Sequence, residues 1–369
     1  MAIFVPSKPF DMKKILLMLA VGVLAAISVK AQKILVVDAE GDPIPLATVL
    51  TEDGNIIGTT NLDGVLNDVK GADRLLITHV AYKPQLVTVA LLKDGKVAME
   101  DQNFGLKEIT VTPKPYVYVE TYYRAYAFIN DSLRYYHAGI MPNAYDGQKK
   151  KTHTGSTDNS SGYFCPNFRV GLTWGARTSV LKAGNVRRCI AQDLINNGES
   201  AKKYHLTAEA SGKDRWLMKN AEGTVGKVER EKGTINLTMN ASKAQMYANK
   251  VNGQEKLQKL REEKNYEYQY TERFNCDEKG ESNVEDFVMY SNHWQWDGGK
   301  GRMKFIIETY AVDRGYMNEK DFKAKKKELK KTYRAVMSLS QLEEYERSHG
   351  IPALSSTMRN AISKLKQYK

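Results

Sequence analysis

The chain is predicted to form an N-terminal antiparallel all-β sandwich over residues 32–112 and a C-terminal α+β domain over 116–369, with an antiparallel sheet and terminal helices. Three observations predict this. Between Lys33 and Tyr82, short apolar runs are broken by turn residues about every eight to twelve positions, the spacing of a sandwich. Beyond Pro115 come longer tyrosine-rich runs with period-two alternation. The tail then changes to apolar residues at helical spacing among lysines.

The first strands are expected over Ile34–Val37, Ala47–Leu50, Ile56–Thr60, Val65–Val69 and Leu75–Val80. The breaks between them, such as Glu52-Asp53-Gly54-Asn55 and Asn61-Leu62-Asp63-Gly64, are rich in residues that accept positive φ or bond their own backbone. Gln85–Leu91, a turn at Lys93–Lys96 and a last strand over Leu106–Thr112 continue the module. Thr112-Pro113-Lys114-Pro115 closes it, and residues 113–115 read as an extended linker because two prolines cannot continue a central strand.

The second domain is expected to open with an aromatic hairpin, Tyr116–Ile129 and Leu133–Met141, turning at Asn130-Asp131-Ser132. On a strand, Tyr122, Arg124, Tyr126 and Phe128 share one face. Residues 147–162 read as a mobile polar loop. Further strands are predicted at 215–219, 224–230, 234–239, 266–274, 284–296 and 302–312, and helices at 185–196 and 253–263. In the tail, Phe322, Leu329, Tyr333 and Val336 recur at helical spacing. Ser340 with Glu343 suggests a capping box for a helix ending at Gly350, and Pro352 the start of the last helix.

Met12-Lys13-Lys14, the apolar stretch Ile15–Val29 and Ala31 read as a secretory signal peptide over residues 1–31, cleaved before Gln32. The apolar stretch is short against the roughly 20 residues that cross a bilayer, and the lack of a Cys after Ala31 argues against a lipid anchor there. Translation from Met12 is an alternative start. Charge separates the two halves: residues 32–112 hold twelve acidic and seven basic side chains, whereas 113–369 carry a net +14. For an exported chain this argues against nucleic acid as the partner. An anionic membrane surface met by Lys323, Lys326, Lys327 and Lys330, an acidic partner, or a merely solvated face all fit. Cys165, Cys189 and Cys276 are an odd number, compatible with one bridge and a free thiol or with three thiols.

The six histidines have no acidic residue three positions on and no helical His partner, so no zinc-site spacing is present. Nucleophile-elbow, phosphate-loop and dinucleotide glycine motifs are also missing. Cys189 beside Arg187 and Arg188 is a candidate activated thiol, weighed against a buried helix cysteine. His293-Trp294-Gln295-Trp296 places two indoles on one strand face, fit either for stacking on a ligand or for burial in a core.

Residues Lys33 to Val89 resemble the carboxypeptidase-regulatory-like domain of exported proteins from Bacteroidetes-type bacteria. The resemblance rests on Val37-Asp38-Ala39-Glu40-Gly41-Asp42-Pro43-Ile44, Ala47-Thr48-Val49, Gly58-Thr59-Thr60-Asn61-Leu62-Asp63-Gly64 and Leu75-Leu76-Ile77 running to Val80-Ala81-Tyr82. Ala81, Val65 and Leu35 or Val36 depart from the pattern at packing or turn positions. It implies a Greek-key sandwich of transthyretin- or immunoglobulin-like kind, with no peptidase site of its own. Leu106–Thr112 is similar to the segment that joins this module to the plug of TonB-dependent receptors, yet too few residues follow for a plugged barrel.

Together these features predict a non-enzymatic envelope protein, periplasmic or outer-membrane associated, whose sandwich docks a partner and which uses no cofactor or metal. The second reading is a carrier of lipid or a small hydrophobe in a cavity lined by Tyr122, Tyr126, Trp294 and Trp296. The third is a hydrolase using Cys189 or a histidine such as His293.

Overall fold

The computed structural model describes residues 32–69, 72–102, 115–155, 160–164, 184, 186, 188–231, 233–299, 301–330 and 336–368. The expected signal peptide, the strand over Leu106–Thr112, most of the linker and Cys165 lie outside these residues.

Residues 32–102 form two small sheets. In the first, β1 (Gln32–Val37) lies between antiparallel β4 (Val65–Val69) and parallel β7 (Lys96–Ala98). The second has the order β3 (Ile56–Thr59), β2 (Thr48–Thr51), β5 (Arg74–His79), β6 (Tyr82–Thr88), all antiparallel. Ile34, Val36, Val49, Leu75, Ile77 and Val97 bury their side chains between them. The buried Thr60 hydroxyl joins the strands to the loop before β2, accepting from Ala47 N at 2.9 Å and donating to Ile44 O at 2.7 Å. Gly64 has φ 70°, and a Cβ there would lie 2.5 Å from Val36 O, so this turn needs glycine.

The rest is built on a 12-stranded antiparallel sheet. Its path runs β12 (Thr207–Gly212), β13 (Arg215–Asn220), β14 (Gly223–Glu231), β15 (Thr234–Asn240), β16 (Glu267–Asn275), β17 (Phe287–Gly298), β18 (Gly301–Met317), β8 (Tyr116–Ile129), β9 (Ser132–Asp146), β11 (Ser160–Phe164), β19 (Lys366–Tyr368). β10 (Lys151–Thr154) pairs with the far end of β9. The long β8–β9 hairpin turns at Asn130-Asp131, with φ of 46° and 66°. Two consecutive positive-φ residues match the right-handed strand twist, and Asn and Asp tolerate that conformation.

Alternation divides the side chains between two faces. Tyr123, Ala125, Leu237, Tyr270, Phe305 and Ile307 pack on one face against the helices α1 (Ile190–Ile195), α2 (Glu199–Tyr204) and α3 (Ala241–Val251). Tyr122, Tyr126, Phe128, Tyr136, Ile306 and Tyr310 pack on the other, against α6 (Leu339–Ser348) and α7 (Ser356–Ser363). Leu50, Ile56 and Leu76 of the small sheets belong to this second core. Ile56 N donates to Asp131 O at 2.9 Å, and Arg215 pairs with Asp42 at 2.6 Å. The remaining helices, α4 (Glu255–Glu263) and α5 (Glu319–Glu328), lie at the surface.

Several element boundaries differ from expectation. The helix expected at 185–196 is α1 alone, begun by the Cys189 N-cap, and α3 was not expected from sequence. Asn240 caps α3 by accepting from Lys243 N, so the helix starts one residue after β15 with no loop to signal it. Residues 151–154 of the expected loop are β10, held to β9. The capping box of α6 is Ser338 with Gln341 rather than Ser340 with Glu343, and α7 starts behind Ser355 rather than at Pro352. Val336 is 58 % exposed and bridges to Ser160, outside α5.

Candidate functional site

The small sheets, the large sheet and α6–α7 meet around a buried charge. Arg124 on β8 is 3 % exposed and Glu346 on α6 is 1 % exposed. Arg124 Nε and Nη2 lie 2.9 and 2.8 Å from Glu346 Oε1, and Nη2 also donates to the Pro352 carbonyl just beyond α6. Tyr122 donates to the same carboxylate oxygen at 2.6 Å. On the other side, Glu308 of β18 approaches Arg124 at 3.8 Å and accepts from the Tyr126 hydroxyl at 3.2 Å. Burial opposes the charge on Arg124, but Glu346 and the surrounding phenols outweigh it and hold the guanidinium charged above its ordinary range. Burial pushes the Glu308 carboxyl up, against the pull of Arg124.

Strand periodicity brings these groups together. Arg124 shares its face with Tyr122 and Tyr126, and Glu308 sits opposite Arg124 in the β8–β18 register. Glu346 lies four residues after Leu342, on the inward face of α6. A lone charge on an apolar strand face was visible in the sequence for Arg124. Its helical partner was not, because nothing local shows which strand α6 covers.

Two spaces adjoin this network. A cavity of about 40 Å³ lies between Thr48, Thr78 and His79 of the small sheets, Arg124 and Glu308, and Pro352 to Ser355. It has room for water or a small ion but not for an organic ligand. A groove of about 580 Å³ separates β6 from α6 and α7, with Leu76, Pro84 and Leu86 on one wall and Ile351, Ala353 and Leu354 on the other. Glu343, Arg347 and Arg359 stand along it, and Arg359 Nε pairs with Glu343 Oε1 at 2.6 Å.

Of the four aromatic residues singled out as ligand contacts, Tyr122 and Tyr126 are buried on the face toward α6–α7. Trp294 and Trp296 are half-buried on the opposite face, where Trp294 stacks on Tyr268 with ring centres 5.1 Å apart. The sheet itself separates the pairs, and no cavity described among these residues is lined by all four. Cys189 is buried, its thiol 3.9 Å from Glu272, and burial together with that carboxylate pushes the thiol up. An uncharged thiol is a poor nucleophile. His293 faces the small sheets, with Nε2 2.8 Å from Ser291 Oγ, and burial lowers it to about 4, so it is neutral at pH 7.

Among the described residues no group of three or more His, Cys, Asp or Glu side chains is placed to hold a metal ion. No helix among them is long and apolar enough to cross a membrane. No protein-family model, curated protein or solved structure matches this chain.

Proposed function

We propose that the chain is a non-enzymatic exported envelope protein in which a Greek-key sandwich of the carboxypeptidase-regulatory-like kind docks an extended segment of a partner protein. The sandwich and the α+β part would act as two domains joined through the core that Leu50, Ile56 and Leu76 share with the large sheet. The observation that carries this reading is the groove beside β6. β6 ends the order of its sheet; Glu100 and Asp101 pair with its first residues, Tyr82 and Lys83, and Pro84 and Leu86 line the side left open beyond them. An edge strand presents unpaired backbone groups to which an extended segment can add, while pockets beside it select side chains. Leu86, 41 % exposed, offers an apolar contact on one wall, and Leu354 faces it from the other. The shared core keeps the two walls at a constant separation, which limits the ordering cost of binding.

A photoreactive side chain placed at Leu86 of the full chain in the native envelope tests this. Leu257 on α4, also 41 % exposed, is the reference position. The expected result is a discrete crosslinked species from position 86 that position 257 does not give. Equal labelling at both, or none at 86, ends the docking reading.

A further inference from the structure

Two lysine runs far apart in sequence form one surface. Lys149 and Lys150 lie in the turn between β9 and β10, Lys151 begins β10, and six more lysines run from Lys320 to Lys330 on and just after α5. An apolar contact joins the two segments: Phe322 of α5 stacks on Tyr116 with centroids 4.3 Å apart and meets the His153 ring at 5.8 Å. Leu329 and Ala144 complete the contact. The turn is held as firmly, with Gly147 N donating to Pro115 O at 2.8 Å and Lys149 N to Asp146 Oδ1 at 3.1 Å. His153 lies within the electrostatic reach of Lys326, Lys151 and Lys149 together, and Glu319 within that of Lys149.

Within α5 and the residue after it, three carboxylates accompany these nine lysines. Glu319 and Glu328 neutralise Lys323 and Lys325, at 2.7 and 3.1 Å. Of the rest, Lys326 is half-buried with its ammonium 5.5 Å from the centre of the Phe322 ring, and the others are exposed. Neither segment contains an arginine, and the large apolar side chains Phe322 and Leu329 are buried beneath the lysines. Protein-binding surfaces are depleted in lysine at their centres and depend on arginine and aromatic anchors. A face of flexible point charges without anchors suits a diffuse anionic surface instead, where each lysine adds attraction without fixed geometry.

We propose that this face binds a bilayer surface rich in anionic phospholipid headgroups. The proposal is independent of the groove beside β6, on a different part of the molecule. It is tested with the full chain and vesicles of phosphatidylcholine alone or with 30 % phosphatidylglycerol, by flotation at low and high salt. Binding is expected only to the anionic vesicles and only at low salt. The quadruple change Lys323→Gln, Lys326→Gln, Lys327→Gln, Lys330→Gln is expected to weaken it by about 600-fold, and Lys149→Gln, Lys150→Gln, Lys151→Gln by about 100-fold, at roughly fivefold per lysine. All seven are surface side chains, so an unchanged melting curve shows that the variants fold. A control changes Lys202, Lys203, Lys256 and Lys259, all exposed elsewhere. An equal loss from the control, no binding by the wild type, or capture of soluble polyglutamate without anionic vesicles each overturns the proposal.

Discussion

His79 sits where the small sheets meet the large one, and its environment shows what burial does to a titratable group. Burial lowers it to about 3, with the charges of Arg273 and His293 adding to the effect. Burial also lowers His137 and His293, each to about 4, and His137 Nδ1 lies 2.8 Å from the Tyr123 hydroxyl. A folded-state value below the unfolded value of about 6.5 means that the native state binds fewer protons. The stability held by these neutral rings is therefore complete above about pH 6.5 and is lost as pH falls toward the folded-state values. Glu308, raised by burial, acts in the opposite sense. The denaturant midpoint is expected to fall between pH 7.5 and pH 5, and to fall less in His137→Gln and His293→Gln. A midpoint that does not move in the wild type, or equal slopes in the variants, contradicts this assignment. Alternation along β8 placed Arg124 beside Tyr122 and Tyr126 in the sequence, but its partner Glu346 stands 222 residues away. No local pattern reaches that far.

The start of α6 shows where element-level reasoning reaches its limit. Ser338 with Gln341 and Ser340 with Glu343 both satisfy capping-box spacing, and the helix buries Leu342 and Glu346 whichever serine caps it. A tertiary contact favours Ser338: Val336 bridges to Ser160 of β11 and Met337 N donates to Ser160 O at 3.2 Å, which fixes the direction of the chain into the helix. Ser338 then accepts from Gln341 N, and the Gln341 side chain returns to Ser338 N at 2.8 Å. Ser338→Ala is expected to cost about 1 kcal/mol in equilibrium unfolding, and Ser340→Ala no more than a few tenths. The reverse order would return the cap to Ser340. Within the large sheet, β8, β9 and β13 to β18 were legible to within five residues, because β-favouring residues run between turn signals there, whereas β10, β11, β12 and β19 were not expected. α3 was not, because a helix that follows β15 without a loop leaves no turn signal.

The shared core makes the two small sheets and the large sheet depend on each other. Leu50, Ile56 and Leu76 bury against Phe128, Ile306 and Met358, and the Arg124–Glu346 contact lies beneath the same junction. Removing one partner of a buried ion pair leaves an uncompensated charge and costs about 3–5 kcal/mol. Arg124→Met is thus expected to lower the unfolding temperature of the whole molecule in calorimetry, in a single transition common to both parts. Two separated transitions in the wild type, or a shift confined to one of two, would show that the parts unfold independently. Alternation, turn residues and helical spacing were sufficient to mark the small strands, the long hairpin and the helical tail, because those signals are carried by neighbours in the chain. They could not show that Tyr122 and Trp296 face opposite ways across a continuous sheet, that two lysine runs meet at Phe322, or that Arg124 is neutralised from α6. Those relations depend on which surfaces pack together, and packing selects among contacts that the local pattern leaves equivalent.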